Sequence, residues 1–216
     1  MRSALAPAAA LARLAIRGID WLLRKAYGVA PFSHEPECIL RISPGSSRRA
    51  VVLSDGTQVK PGDPIVHLHL WNERLRDLPN VSDSLGWGRL LLHQGALSLQ
   101  LLARYLEVQS AAAHYVALRG EPGFVTDLRS ARAALERLGF EVFLKESPGF
   151  RLWRRAFWDN FYSFLLLWTF GPHTMKGKEL GRLQRLEIWM SRARLTECYG
   201  GEVRTASSQG LKSGVS

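Results

Sequence analysis

Between Ala8 and Tyr27 the chain repeats its polar residues at helical spacing: Arg13, Arg17, Asp20 and Arg24 share one side, and Leu11, Ala15, Ile19, Leu22 and Leu23 fall largely on the other. The pattern predicts an amphipathic helix ended by Pro31 and Pro36. The period then changes to two. Cys38, Leu40 and Ile42 alternate with Glu37, Ile39 and Arg41, as in a strand. Ala50 to Leu53, the turn Ser54-Asp55-Gly56-Thr57 and a second turn at Pro61-Gly62-Asp63 predict a hairpin, because Asp-Gly supplies the positive backbone angles a tight turn needs. Ile65 to Trp71 follows as a strand carrying His67 and His69, with Asn72 placed to cap a short helix through Leu78.

Leu85 to Glu107 has the apolar repeat of a long helix, although Gly86, Gly88 and Gly95 weaken it. His114 to Leu118 reads as a buried strand. Thr126 or Asp127 can cap a helix over Leu128 to Leu138, and Gly139 stops it before the strand Phe140 to Lys145. Arg151 to Phe170 is a third apolar helix stopped by Gly171-Pro172, Glu187 to Ser191 a last strand, and a short helix follows it. The order predicts an α+β fold: a mixed β-sheet with an N-terminal β-hairpin region, covered by about four to five helices. The implied organisation is a basic helix over 1–30, one α+β domain over 31–200 and a disordered tail over 201–216.

Composition adds one departure from the ordinary. Apolar residues make up 46% and charged residues 22% of the 216 positions, but the net charge is +10. Residues 1 to 30 carry five bases and one acid, and 151 to 194 carry nine and three, so these two segments hold the whole surplus. They also contain Trp21, Trp153, Trp158, Trp168 and Trp189, five of the seven tryptophans. Cations beside indoles suit a helix lying in an anionic membrane interface, with Arg17, Trp21, Arg24, Arg151, Arg154, Arg155 and Trp158 as the contacts. The same pattern fits helices that cover a sheet and keep their arginine heads in water. Nucleic acid is disfavoured as a partner, since no binding motif and no Lys/Arg run is present. The longest apolar stretch near the end, Phe161 to Phe170, is shorter than a spanning helix requires. The Ala/Leu-rich start, Met1 to Ile16, also admits a cleaved presequence. Cys38 and Cys198 have neither metal-type spacing nor a neighbouring cysteine, which points to a reducing, cytoplasmic compartment; the basic, tryptophan-bearing segments add the expectation of a place peripheral to the inner membrane.

For chemistry, His67 and His69 lie two apart on one strand face, a spacing from which zinc sites draw two ligands. A third would have to come from Glu73, His34, His93 or Asp55. The bland alternative is a pair of packed strand histidines. Asn72 and Glu73 form a polar pair at the strand end, equally suited to capping a helix. Ser191, Arg192 and Arg194 could hold a phosphate or carboxylate, or only start the closing helix. No nucleophile elbow, Walker loop, dinucleotide fingerprint or paired-carboxylate motif occurs, and no cofactor is expected.

Gly28 with the strand after it, "LSDGTQVKPGDPIVHLHLWNERL" from Leu53 to Leu75 and "EIWMSRARLTECYG" from Glu187 to Gly200 together resemble the YkoP-like domain family. The matching positions are Asp55, Gly56, Gly62, Asp63, His69, Asn72, Trp189, Ser191, Tyr199 and Gly200, within roughly residues 19 to 200. The resemblance implies a bacterial domain that stands alone or is fused to polysaccharide deacetylases, without an assigned activity. Taken with the two basic, tryptophan-bearing segments, that context leads to the expectation of a non-catalytic accessory or interaction domain in cell-envelope polysaccharide metabolism, partnered by an anionic membrane surface or an envelope-polysaccharide enzyme. The competing expectation is a metal-dependent hydrolase or transferase acting on an envelope glycan or lipid-linked sugar, with His67 and His69 as ligands.

Overall fold

The structure, a computed structural model, describes residues 2–71, 73–74, 84–109, 114–122, 128–144, 169 and 186–201. Its strands are β1 (Leu40–Ser46), β2 (Val51–Val52), β3 (Gln58–Val59), β4 (Pro64–Leu70), β5 (Ala117–Gly120), β6 (Glu141–Leu144) and β7 (Leu186–Ser191). Its helices are α1 (Arg2–Ala26), α2 (Ser84–Val108), α3 (Leu128–Arg137) and α4 (Arg192–Tyr199). The fold is α+β, with a five-stranded sheet in the order β1-β4-β5-β7-β6 and a separate hairpin, β2-β3. Only β4 and β5 run parallel; the other neighbours are antiparallel.

Alternation along the strands sends their side chains to two unlike layers. On one face Val66 and Leu68 of β4, Leu118 of β5 and Ile188 and Met190 of β7 pack with Leu99, Leu102, Ala103 and Leu106 of α2 and Leu195 of α4. On the other face Ile65, Ala117 and Trp189 pack under Val51, Leu53 and Val59 of the hairpin. The hairpin turns at Gly56, whose φ of +84° is one a side chain disfavours, and closes with Leu53 N–H donating to Thr57 O at 2.9 Å. Trp189, grouped by sequence with the basic, interfacial tryptophans, is instead a core residue of this second layer.

Several elements differ from their expected bounds. The helix over Leu85 to Glu107 forms despite its glycines, and at Gly95 the reason is close approach, since a Cβ there would stand 3.3 Å from Leu138 Cδ1. The strand expected over His114 to Leu118 runs from Ala117 to Gly120, because its register is set by pairing Ile65 with Ala117 and Leu68 with Gly120. The first helix begins at Arg2 rather than Ala8. The expected helix Arg151 to Phe170 lies outside the described residues except at Thr169, which is buried. Asn72 and the tail beyond residue 201 also lie outside them.

Candidate functional site

The second face of the sheet becomes polar beyond the hairpin. The β1/β4 register sets Arg41 opposite His69 and Ser43 opposite His67, and the β4/β5 register sets His67 opposite Arg119. Ser43 Oγ and His69 Nε2 share a hydrogen bond at 2.9 Å. Burial, with a smaller contribution from neighbouring His67, lowers the His69 pKa to about 4, so its imidazole is neutral at pH 7. The His67 pKa is also lowered, by burial first and then by the Arg119 guanidinium. Arg119 Nε donates to Glu187 Oε1 at 2.5 Å, and Arg49 pairs with the other oxygen of the same carboxylate.

This geometry bears on the two chemistries considered. Ser43 and His69 have the contact of a nucleophile and its base, but Ser43 is 4% exposed within a regular ladder, where a substrate carbonyl has no approach to Oγ. For metal binding, His67 and His69 do share a face. Among the described residues, however, no group of three His, Cys, Asp or Glu side chains converges. Asp55 sits two strands away at the end of β7, His93 lies on α2 across the sheet, and Glu73 is engaged elsewhere.

Glu73 stands past the end of β4 and accepts from Arg24 Nη1 at 2.7 Å and from Arg41 Nη1 at 3.1 Å. Arg24 also reaches Asp20 of its own helix at 3.0 Å. Arg41 lies 4.1 Å above the ring centroid of Trp71, and Arg74 packs 3.7 Å from that centroid. Arg74 Nη1 donates to Cys38 O at 2.8 Å. Burial pushes the Arg41 pKa below its ordinary value, Glu73 opposes the shift and Arg24 adds to it. The cluster is therefore a clasp of alternating charges that ties α1 to β1 and the end of β4.

Ser191, expected to face an external anion, binds an internal one. Its hydroxyl donates to Asp55 Oδ2 and accepts from Arg194 N–H at 2.8 Å, capping α4 while tying down the hairpin turn. Thr57 N–H donates to Asp55 Oδ1 at 2.9 Å. Slight burial acts to raise the Asp55 pKa, yet the hydrogen bonds from Ser191 and Thr57 leave it below the ordinary carboxylate value. Arg192 is spent on the fold too: its backbone N–H donates to Val116 O at 3.0 Å and its Nη2 to Leu106 O at 3.1 Å. The polar residues grouped by sequence thus occupy three places: the histidine rows, the Glu73 clasp and the Asp55–Ser191 link.

Most positions carrying the family pattern follow the same rule. Asp63 Oδ2 accepts from Lys60 N–H at 2.7 Å inside its turn, and Tyr199 Oη donates to Leu138 O at 3.1 Å. A Cβ on Gly200 would stand 2.6 Å from Thr196 O and 2.8 Å from Glu107 Oε1, so only glycine fits. Ser43, Arg41, Arg119 and Glu187 were not singled out by sequence. Polar residues at every second position of apolar strands are the signal that could have found them.

The membrane-contact residues divide as well. Arg17 and Trp21 are exposed on α1, whereas Arg24 is half-buried and committed to Asp20 and Glu73. Arg151, Arg154, Arg155 and Trp158 lie outside the described residues. Among the described residues no helix is long and apolar enough to cross a membrane.

The YkoP domain family matches residues 16–199 of this chain. A curated protein, the uncharacterized protein YkoP of Bacillus subtilis (strain 168), is 29% identical over 107 residues, covering 49% of this chain and 55% of that protein. The chain thus spans about half the length of that relative. No solved structure matches it. With the family covering the sheet, the hairpin and residues 16–26 of α1, and with the pattern residues holding those parts together, the chain belongs to the YkoP domain family.

Proposed function

We propose that this chain is a non-catalytic accessory domain of cell-envelope polysaccharide metabolism, cytoplasmic and peripheral to the inner membrane, that works by holding a surface in place for a partner. The observation that carries the reading is that the groups best suited to chemistry are engaged internally: Asp55 with Ser191, His69 with Ser43, and Glu73 with Arg24 and Arg41. An enzyme needs a reactive group within reach of substrate; a docking scaffold needs such bonds to keep its shape. The polysaccharide context rests on the family's association with polysaccharide deacetylases.

The opposing reading, a metal-dependent hydrolase or transferase, draws support from the two neutral imidazoles on one strand face. Glutamine at His69 can still bond Ser43 but neither shuttles a proton nor replaces a histidine ligand. In cells lacking the chain, the accessory role predicts altered envelope polysaccharide that the His69→Gln variant restores. Unchanged polysaccharide on deletion contradicts the envelope assignment. A folded His69→Gln protein that restores nothing contradicts the non-catalytic one.

A further inference from the structure

Helix α1 is mounted with its apolar side outward. At 3.6 residues per turn, Leu11, Leu14, Ile19, Trp21 and Leu22 fall within one arc of about 160°. All five are exposed, Leu11 by 68%, Leu14 by 65% and Trp21 by 54%. Ile16, Asp20, Arg13 and Arg24 share the opposite arc of about 80°. Of these Ile16 and Asp20 are buried, and Arg24 joins the Glu73 clasp. A helix that only covered a sheet would be turned the other way, with leucines inward and arginines in water. The mounting is fixed through its polar side, and the side with most hydrophobic surface is left for something else.

The charges name what that is. Arg17 is exposed about 40° beyond one edge of the arc, and Lys25 is exposed within the arc at the last turn of the helix, its Nζ 5.3 Å from the Trp21 ring centroid. The one acid of the helix, Asp20, is buried beside Arg24, so the exposed charge of the described turns is positive. The whole chain carries +10. Leucines along a face, an indole at its border, one cation flanking that face and another at its end, free to reach up to the headgroups, make a distribution that seats a helix in the plane of an anionic bilayer. A second copy of this chain would bring the same cations to the same surface, which like charges oppose.

We propose that α1 is an in-plane membrane helix, sinking Leu11, Leu14, Ile19, Trp21 and Leu22 into the headgroup–acyl boundary of an anionic bilayer, with Arg17 and Lys25 against the lipid phosphates. The proposal rests on the peripheral part of the function above and supplies its contact surface; it is independent of whether the domain is catalytic.

The test is flotation of the full chain with vesicles of phosphatidylcholine alone and of phosphatidylcholine with phosphatidylglycerol, alongside sedimentation without lipid. The expected result is a lipid-free monomer that floats with the phosphatidylglycerol vesicles. Replacing Arg17 and Lys25 by Ala should weaken that binding roughly fivefold per cation. The Leu14→Glu/Trp21→Glu double variant, changed only at exposed positions, should weaken it by more than about tenfold with an unaltered circular dichroism spectrum. Absence from both vesicle fractions overturns the proposal, as does a lipid-free dimer that Leu14→Glu dissociates, which would assign the face to a second copy. Either failure, with His69→Gln still restoring envelope polysaccharide, would remove the α1 assignment and leave the non-catalytic role standing.

Discussion

Glu73 is the point at which α1 is fastened to the sheet, and its removal should be costly for a reason that a compensating change can expose. In the Glu73→Leu variant Arg41, whose side chain is 11% exposed, loses its carboxylate, and Arg24 loses its link across to the sheet. Stripping one partner from a fully buried ion pair costs about 3–5 kcal/mol. Because the Glu73 side chain is 32% exposed and water reaches the site, the cost here is reduced to about 2–3 kcal/mol. For a urea m-value of about 2 kcal/mol/M, that lowers the unfolding midpoint by roughly 1–1.5 M. The Arg41→Met/Glu73→Leu double variant has no stranded charge and should recover most of the loss, giving a coupling energy of about 2 kcal/mol in a double-mutant cycle. A single-variant cost below about 0.5 kcal/mol, or a double variant no more stable than the sum of its singles, would refute the clasp as an energetic unit.

Two further outcomes concern the other polar places. His69 has a folded pKa of about 4 against 6.5 for an ordinary histidine, so the unfolded chain binds the extra proton between those values. Stability is complete above about pH 6.5 and is lost as pH falls toward 4, by roughly 2–3 kcal/mol; urea titrations at several pH values should show this slope, and His69→Gln should flatten it. Ser191→Ala removes both the α4 cap and the donor to Asp55, costing about 1–3 kcal/mol by urea unfolding, and leaves Asp55→Asn with little further effect.

Local structure was legible wherever a residue's own backbone preference decided it. Asp55-Gly56 announced the hairpin, Gly139 the end of α3 and the alternation after Pro36 the first strand. Helix α2 was harder to read, because the glycine that lowers its propensity at position 95 is what admits Leu138. The candidate site was legible by residue type and not by partner. His67 and His69 are visibly on one face, but the bond from His69 to Ser43 depends on the β1/β4 register, and Ser191 meets Asp55 across a sequence separation of 136 positions. For α1, the periodicity revealed two faces without saying which would turn inward. Ion pairs to Glu73, set by tertiary placement, decide that.

The outward mounting of α1 can be measured without lipid. In a Cys198→Ser background, where Cys38 is buried, Leu14→Cys and Ile16→Cys place a thiol on opposite sides of the helix. The orientation described here predicts that Leu14→Cys reacts with a maleimide at nearly the rate of a free thiol and Ile16→Cys at least about tenfold more slowly, as protection by burial requires. The reverse order would contradict it, turning the leucines inward and leaving no apolar face for a membrane to meet.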